Sequence, residues 1–396
     1  MPRLLVLGAG PAQLGVLAAA RQRGLTLVAA DRDPSAPGFR YADRRAIVSI
    51  EDEPAIERLA RAEEVDGIVA PGTDHAVAVA ARIAKRLALP HPLSPEAAVL
   101  AVSKLRQREA LAAAGVPQPR SVVCRTLPEV DAAAHELGGY PVVIEAPDRD
   151  GERSVTLAAT AAFAEVEGEY CLVEELVHGP TVTVNAFSVG GRFVPLTVTD
   201  GEKAAAPAFG VTLAHVWPAE LEPQQIAAAI AIASAAAAAL GVTDGPTTSQ
   251  VLIAETGPLL AKLSARVGGG HDGELSRVAL GVDANALAVA AALGDEVGRQ
   301  DLAPTHGVGG ACVRFLVAPP GVLHEVRGVE DAYGVDGVRG IRIYRKPGHV
   351  FHALRRASDR AGAILATGDT RDDALDAADE AAERIRFVTR AAEAVA

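Results

Sequence analysis

The first thirty residues constrain the fold most. Leu4-Leu5-Val6-Leu7 is a short apolar run that ends in Gly8-Ala9-Gly10. A helical stretch follows from Ala12 to Arg23, then a second apolar run, Leu25 to Ala30, that stops at Asp31. Neither run alternates polar with apolar residues, so both strands are expected to be covered on both faces. Ala46 to Ile50 gives another strand, Pro54 to Glu64 a helix, and Gly67 to Ala70 a further strand stopped by Pro71-Gly72. Strands alternating with helices predict a parallel sheet. The glycine loop, with Asp31 about 20 residues on, has the outline of a dinucleotide fingerprint. Its third glycine, however, falls on Gln13, with Gly15 two positions late, and Pro11 removes an N–H that would face a pyrophosphate. A tight strand–helix turn bordering some other ligand is the better reading, with a nicotinamide-dependent oxidoreductase as an alternative.

The chain has 396 residues, enough for two or three domains with real cores. The net charge of -12 argues against general nucleic-acid or anionic-membrane binding. Ile226 to Leu240, the longest apolar stretch, is Ala-dominated and short of the ~18 residues that span a bilayer. Met1-Pro2-Arg3 leads straight into the first strand, so no signal peptide is expected. Cys124, Cys171 and Cys312 are too widely spaced for a disulfide framework or a zinc site. A cytoplasmic, enzyme-like protein is the expectation.

Beyond Pro90 the pattern changes. Ser94 reads as an N-cap with Pro95 at the first helical position. Leu105 to Ala114 and Pro128 to Leu137 read as helices, with strands at Ser121–Val123, Val142–Ile144, Val155–Leu157 and Tyr170–Leu176 and a polar turn over Asp148–Arg153. Strands at Thr181–Val189 and Arg192–Val198 precede an Ala-rich helix, Pro223 to Leu240, closed at Gly241. A hairpin joins Gln250–Ile253 to Leu259–Leu263, and a helix runs from Arg371 to Ile385.

In order along the chain stand Ser103-Lys104, Ala114-Gly115-Val116-Pro117, Tyr140-Pro141-Val142-Val143-Ile144, Leu172-Val173-Glu174-Glu175, Gly179-Pro180, Gly245-Pro246 and Arg266-Val267-Gly268-Gly269-Gly270. Val313-Arg314-Phe315 and Ala366-Thr367-Gly368-Asp369-Thr370 come last. Taken together, this order resembles the ATP-grasp superfamily, in particular the carboxylate-amine and L-amino-acid ligases, with biotin carboxylase a more distant relative. The resemblance implies an α/β and α+β architecture with a Rossmann-like pre-domain (1–93), a linker helix region (94–119) and a small lid (120–176). A large subdomain with an amino-acid-ligase-like C-terminal region follows (177–396). It also implies phosphorylation of a carboxylate by Mg-ATP and attack of an amine on the acyl phosphate.

Such chemistry needs cations around the triphosphate and hard oxygens around magnesium. On the resemblance, Lys104 keeps the first phosphate-contacting lysine, while the second falls on Glu145. Glu174, Glu175 and Thr181 complete the nucleotide positions, with Thr181 where a glutamate is usual. The metal-ligand positions fall on Gln250, Lys262 and Ser264, and only Arg266 is retained beyond them. An ammonium replaces a carboxylate at Lys262, and two unit charges about 4 Å apart interact by about 4 kcal/mol at an effective dielectric of about 20. The chain has five lysines. The reading is therefore that Mg-ATP chemistry is lost, no metal is held, and Lys262 and Glu145 pair across the cleft.

The substrate side is better kept. Arg266 offers a planar fork to a carboxylate, and Gly268, Gly269 and Gly270 allow close backbone approach. His271 is a candidate proton shuttle or anion contact, and His75 a candidate pocket-lining residue at the end of the fourth strand. Catalytic candidates are Arg266, His271, Lys262 and Glu145. The preferred expectation is a protein that binds or acts on a small carboxylate or amino acid without ATP, as a homodimer or beside a partner biosynthetic enzyme. The alternative is an active ATP-dependent carboxylate-amine ligase, which would require ATP and magnesium.

Overall fold

In a computed structural model, residues 1–145, 155–158, 170–205, 208 and 210–391 are described. The chain divides into two compact units. The first comprises 1–198, 221–273 and 283–303; the second comprises 199–220, 274–282 and 304–396.

The first unit begins with the expected parallel sheet. β1 (Arg3–Leu7) lies between β2 (Thr26–Asp31) and β4 (Gly67–Val69), with β3 (Arg44–Ile47) at the edge beside β2. Leu4, Leu5, Val6 and Leu7 are fully buried, as a strand covered on both faces requires. α1 (Leu14–Gln22), α2 (Glu53–Ala62) and α3 (Asp74–Leu87) connect these strands and continue the chain. β3 begins two residues before the expected Ala46, and its exposed residues show that it is an edge strand. The 74–87 segment carries no periodicity clear enough to predict it, because α3 buries the continuous run Ala76–Ala81 together with Ile83 and Ala84 and exposes Lys85 and Arg86 only near its end.

α4 (Pro95–Val102) starts as expected: Ser94 Oγ accepts from Ala97 N at 3.1 Å and Pro95 opens the helix. α5 (Lys104–Ala113) then leads into a small antiparallel sheet. Its order is β5 (Ser121–Cys124), β8 (Cys171–Glu175), β6 (Val142–Glu145), β7 (Val155–Ala158). α6 (Leu127–Glu136) covers one face, burying Val130, Ala133 and Ala134 against Cys124, Cys171 and Val173. The turn expected over Asp148–Arg153 lies outside the described residues.

A second antiparallel sheet carries most of what matters for function. β9 (Thr181–Val189) pairs with β10 (Arg192–Thr199) on one side. On the other side, after β11 (Ala214–Trp217) and the Ala-rich α7 (Pro223–Ala239), it pairs with β12 (Gly245–Ala254). β12 in turn pairs with β13 (Gly257–Ser264). The hairpin is longer than the sequence indicated because Gly245–Ser249 continues the ladder against β9. α8 (Asp272–Leu280) and α9 (Ala284–Ala292) follow.

The second unit contains β14 (Gly310–Leu316), β15 (Gly321–Arg327), α10 (Val329–Tyr333), β16 (Val338–Ile343), β17 (Val350–Phe351), β18 (Gly362–Gly368), α11 (Arg371–Arg384) and β19 (Arg386–Arg390). Its two sheets run β11-β14-β18-β16 and β17-β15-β19. α11 opens with a capping box between Thr370 and Asp373 and buries Ala374, Ala378 and Ala381 in the core of this unit.

Leu5→Ala, which empties the centre of β1, should cost about 2–5 kcal/mol. Ile47→Thr, on exposed β3, should stay within about 0.5 kcal/mol of the parent. Urea midpoints of the two variants check the contrast.

Candidate functional site

The register of the β10-β9-β12-β13 sheet brings four of the expected positions onto one face. Thr183 lies opposite Gln250, and Gln250 opposite Lys262; Asn185 lies opposite Thr248, and Thr248 opposite Ser264. Directly opposed residues share a face, and side chains alternate with period two. Thr181, Gln250, Lys262 and Ser264 therefore look to the same side, together with Asn185 and Thr248. The face is one of hydroxyls and amides, with a single ammonium.

Lys262 does not pair with Glu145. Its Nζ bonds Asp74 Oδ2, and the other carboxylate oxygen, Oδ1, accepts from Arg266 Nε at 2.6 Å. Asp74 opens α3, and burial raises the cost of its charge. The Arg266 guanidinium and the Lys262 ammonium more than offset that cost, holding the carboxyl far below the usual range. Arg266 Nη1 also donates to Val267 O at 3.2 Å.

Glu145 pairs instead with Lys104, Nζ to Oε2 at 2.9 Å, with side-chain exposures of 17% and 10%. Register explains why. Glu174 lies opposite Val143, so Glu145 and Glu174 share a face of the small sheet. Lys104 and Arg108, four residues apart on α5, meet that face from one side of their helix. Arg108 Nε donates to Glu174 Oε1 at 2.8 Å, and its terminal nitrogens donate to Leu260 O at 3.0 Å and Ala261 O at 2.9 Å. Burial pushes Glu174 up, to about 7, against the pull of Arg108 and with the Glu145 charge adding to the rise. Glu175 looks the other way, to Arg120 Nε at 2.7 Å. The expected Lys262–Glu145 pair is thus replaced by Lys104–Glu145 and Lys262–Asp74. The reason is topological: α5 brings Lys104 to the face of the small sheet that carries Glu145, and the start of α3 brings Asp74 to Lys262.

The donor set tests whether magnesium fits where the resemblance puts it. Gln250 is an exposed neutral amide, Ser264 a buried hydroxyl, and Lys262 an ammonium committed to Asp74. Magnesium prefers carboxylate and water oxygens in octahedral array, and this set does not fit it.

The segment after Arg266 is held from below. Asn185 Nδ2 donates to Asp272 Oδ1 at 3.1 Å and to Thr197 Oγ1 at 3.2 Å, while its Oδ1 accepts from Thr248 Oγ1 at 3.0 Å. Asp272 Oδ2 accepts from Gly270 N at 3.0 Å. A Cβ on Gly268 would lie 2.1 Å from Asp272 Oδ2, and one on Gly269 would lie 3.2 Å from Ala12 Cβ. These glycines make room for protein, Gly268 for the Asp272 carboxylate. His271 is buried and sits at φ +61°, a conformation that costs a non-glycine residue energy and holds it in one orientation.

Beside Arg266 a cavity of about 30 Å³ is walled by Ile68, Val77, Pro92, Ala265 and His91. Its histidine is His91, not the expected His75, which sits half-buried in the first turn of α3. At the glycine loop, Gln13 fills the space a pyrophosphate would take. A Cβ on Gly8 would lie 2.8 Å from Gln13 Cδ, and Gln13 Nε2 donates to Pro71 O at 2.8 Å. Asp31 accepts from Ala9 N at 2.7 Å rather than projecting toward a ribose. The loop is a tight turn, and the nicotinamide reading loses its cradle. The sequence alone singled out none of Asp74, Arg108 and Asn185. The signal for Asp74 was there, as an acid at the start of a helix behind a strand-ending Pro71-Gly72.

Comparisons with known proteins agree with this architecture. Residues 314–390 match the family model described as L-amino acid ligase C-terminal domain 2. An uncharacterized protein, y4rH, of Sinorhizobium fredii is 27% identical over 334 residues, 80% of this chain and 67% of that protein. A formate-dependent phosphoribosylglycinamide formyltransferase of Solidesulfovibrio magneticus is 29% identical over 188 residues, so the match spans about half of each chain, 47%. The crystal structure of an L-amino acid ligase from Bacillus licheniformis superposes with a TM-score of 0.84 at 18% identity, covering 98% of this chain and 99% of that one. The chain therefore has the ATP-grasp fold of these structures, and its C-terminal region is similar to that of L-amino acid ligases.

Proposed function

We propose that this protein binds a small carboxylate or amino acid at Arg266 and does not carry out Mg-ATP-dependent ligation. One observation carries the reading: the lysine that the resemblance assigns to phosphate is paired with Glu145, at the position where a second phosphate lysine would stand. A triphosphate entering there would have to displace a carboxylate from a mostly buried ammonium and then face that carboxylate. Lys262, cross-strand from Gln250, adds a cation where a dication would need oxygens. Arg266 keeps the donor fork that suits a carboxylate. The likeness of the C-terminal region to L-amino acid ligases favours the second reading, an ATP-dependent ligase.

Calorimetry with ATP separates the two. The proposal expects no magnesium-dependent heat, and a micromolar, magnesium-dependent one overturns it. Glu145→Lys releases Lys104 and reverses the charge beside it, so the variant should bind ATP at least about tenfold tighter than the parent, a gain of about 1.4 kcal/mol. Competition with a fluorescent ATP analogue reads that difference.

Glu174 gives a pH dependence with a definite sign. Its pKa rises from 4.5 to about 7 on folding, so the stability it contributes is fully present below 4.5 and is lost as pH rises through about 7. Glu174→Gln keeps a partner for Arg108 and removes the titration. Its urea midpoint should fall less than the parent's between pH 5 and pH 8.

A further inference from the structure

Arg266 and Lys262 come from different stretches of chain, yet both point at one carboxylate. Asp74 uses one oxygen on each, and the three side chains are 14%, 23% and 15% exposed. A carboxylate bridging a guanidinium and an ammonium has the coordination that a bound carboxylate ligand would have in the same place. From this geometry we infer that Arg266 and Lys262 form a monocarboxylate seat that Asp74 fills as an internal ligand. A ligand's carboxylate then enters by exchange with the Asp74 side chain. The inference rests on the reading above that Arg266 faces the ligand.

Three features support exchange over a fixed structural triad. Asp74 is not the cap of α3: that position belongs to Thr73, and Asp74 is the first residue of the helix proper. Its carboxylate therefore reaches across to β13 and to the segment after it, where it meets the two cations. Arg266 spends Nε on Asp74 and Nη1 on Val267 O, and its Nη2 makes no hydrogen bond among the described residues. The fork is thus part-filled, with donors left for an incoming oxygen. The third feature is space. The cavity of about 30 Å³ has Arg266 among its lining residues, and its other walls are largely apolar.

The energetics set what can displace Asp74. A tethered carboxylate competes at an effective concentration of order millimolar or above. Simple carboxylates therefore bind the parent protein weakly, and a productive ligand must add contacts of its own. Removing Asp74 reverses the balance. Two largely buried cations are left uncompensated, which destabilises the fold, and any small carboxylate that fits should restore it.

The test is thermal unfolding of Asp74→Ala in sodium formate and in sodium chloride at equal ionic strength. In chloride the variant should melt well below the parent. At about ten times the dissociation constant, formate should shift the folding equilibrium about elevenfold, a rise of roughly 2 °C that chloride does not give. The parent should respond equally to both salts. In Asp74→Ala/Lys262→Met the formate response should disappear. If Asp74→Ala folds only with formate present, the inference stands; if it fails to fold in either salt, Asp74→Asn is read in the same way. The inference is overturned if formate acts no differently from chloride on whichever variant folds, or if the double variant keeps the full response. No arm contains nucleotide. A magnesium-dependent ATP heat in the parent would therefore overturn the lost-ligation proposal without touching this result.

Discussion

The buried contact of Asp74 with Lys262 and Arg266 organises the functional end of the first unit. A carboxylate in that position would be expensive alone, since burial disfavours its charge by several kcal/mol. Two cations reverse the balance, and each cation in turn would be expensive without the carboxylate. The triad is thus mutually obligatory. It ties the start of α3, which follows the parallel sheet, to β13 and to the segment that carries Gly268–Gly270. Gly72 N, donating to Val267 O at 3.3 Å, runs alongside and fixes the same approach through backbone.

A second set of charges stands apart on the small sheet, and it balances internally. Lys104 and Arg108 meet Glu145 and Glu174 in two pairs. The four groups are close enough that the charges of Glu145 and Lys104 both move the titration of Glu174. Above pH about 7, where Glu174 is ionised, the quartet is neutral and attracts polyanions little, because the field outside it cancels over a few ångströms. On the proposed reading this cancellation closes the nucleotide side, whereas the Asp74 triad, with two cations to one anion, keeps an excess positive charge on the carboxylate side. The two clusters use the same residue types to opposite ends. The difference lies in count, since each cation has its own acid in one and two cations share one acid in the other.

What the sequence made legible followed periodicity and order. The parallel sheet came from unbroken apolar runs, α4 from a Ser-Pro start, and the ATP-grasp architecture from the order of short motifs between Ser103 and Gly270. The charge inversions at Glu145 and Lys262 were also visible. Their partners were not, because partner choice depends on which elements the fold brings within reach. Lys262 lies 188 positions from Asp74, and no local rule connects them. Lys104 and Arg108 could have been anticipated: residues four apart on a helix share a face, as do Glu145 and Glu174 through the sheet register. His75 was favoured because strand ends face crevices, but the first turn of α3 carries it, while His91 reaches the cavity by way of a Pro-rich turn.

Asn185 illustrates why a polar residue inside a strand can matter more than an exposed one at a loop. It is buried, and a buried amide left without partners costs about 1–3 kcal/mol. Here its Nδ2 donates to Thr197 and Asp272, and its Oδ1 accepts from Thr248. Asp272 accepts from Gly270 N, and Thr248 Oγ1 lies 3.3 Å from Arg266 O. The backbone on both sides of Val267 is thereby anchored to the sheet beneath it. Arg266 can present its guanidinium in one orientation because its own carbonyl and the N–H of Gly270 are both fixed. Rigidity at this point comes from a buried amide on the strand beneath, three of whose hydrogen bonds lead to the segment it supports or to the strands beside it.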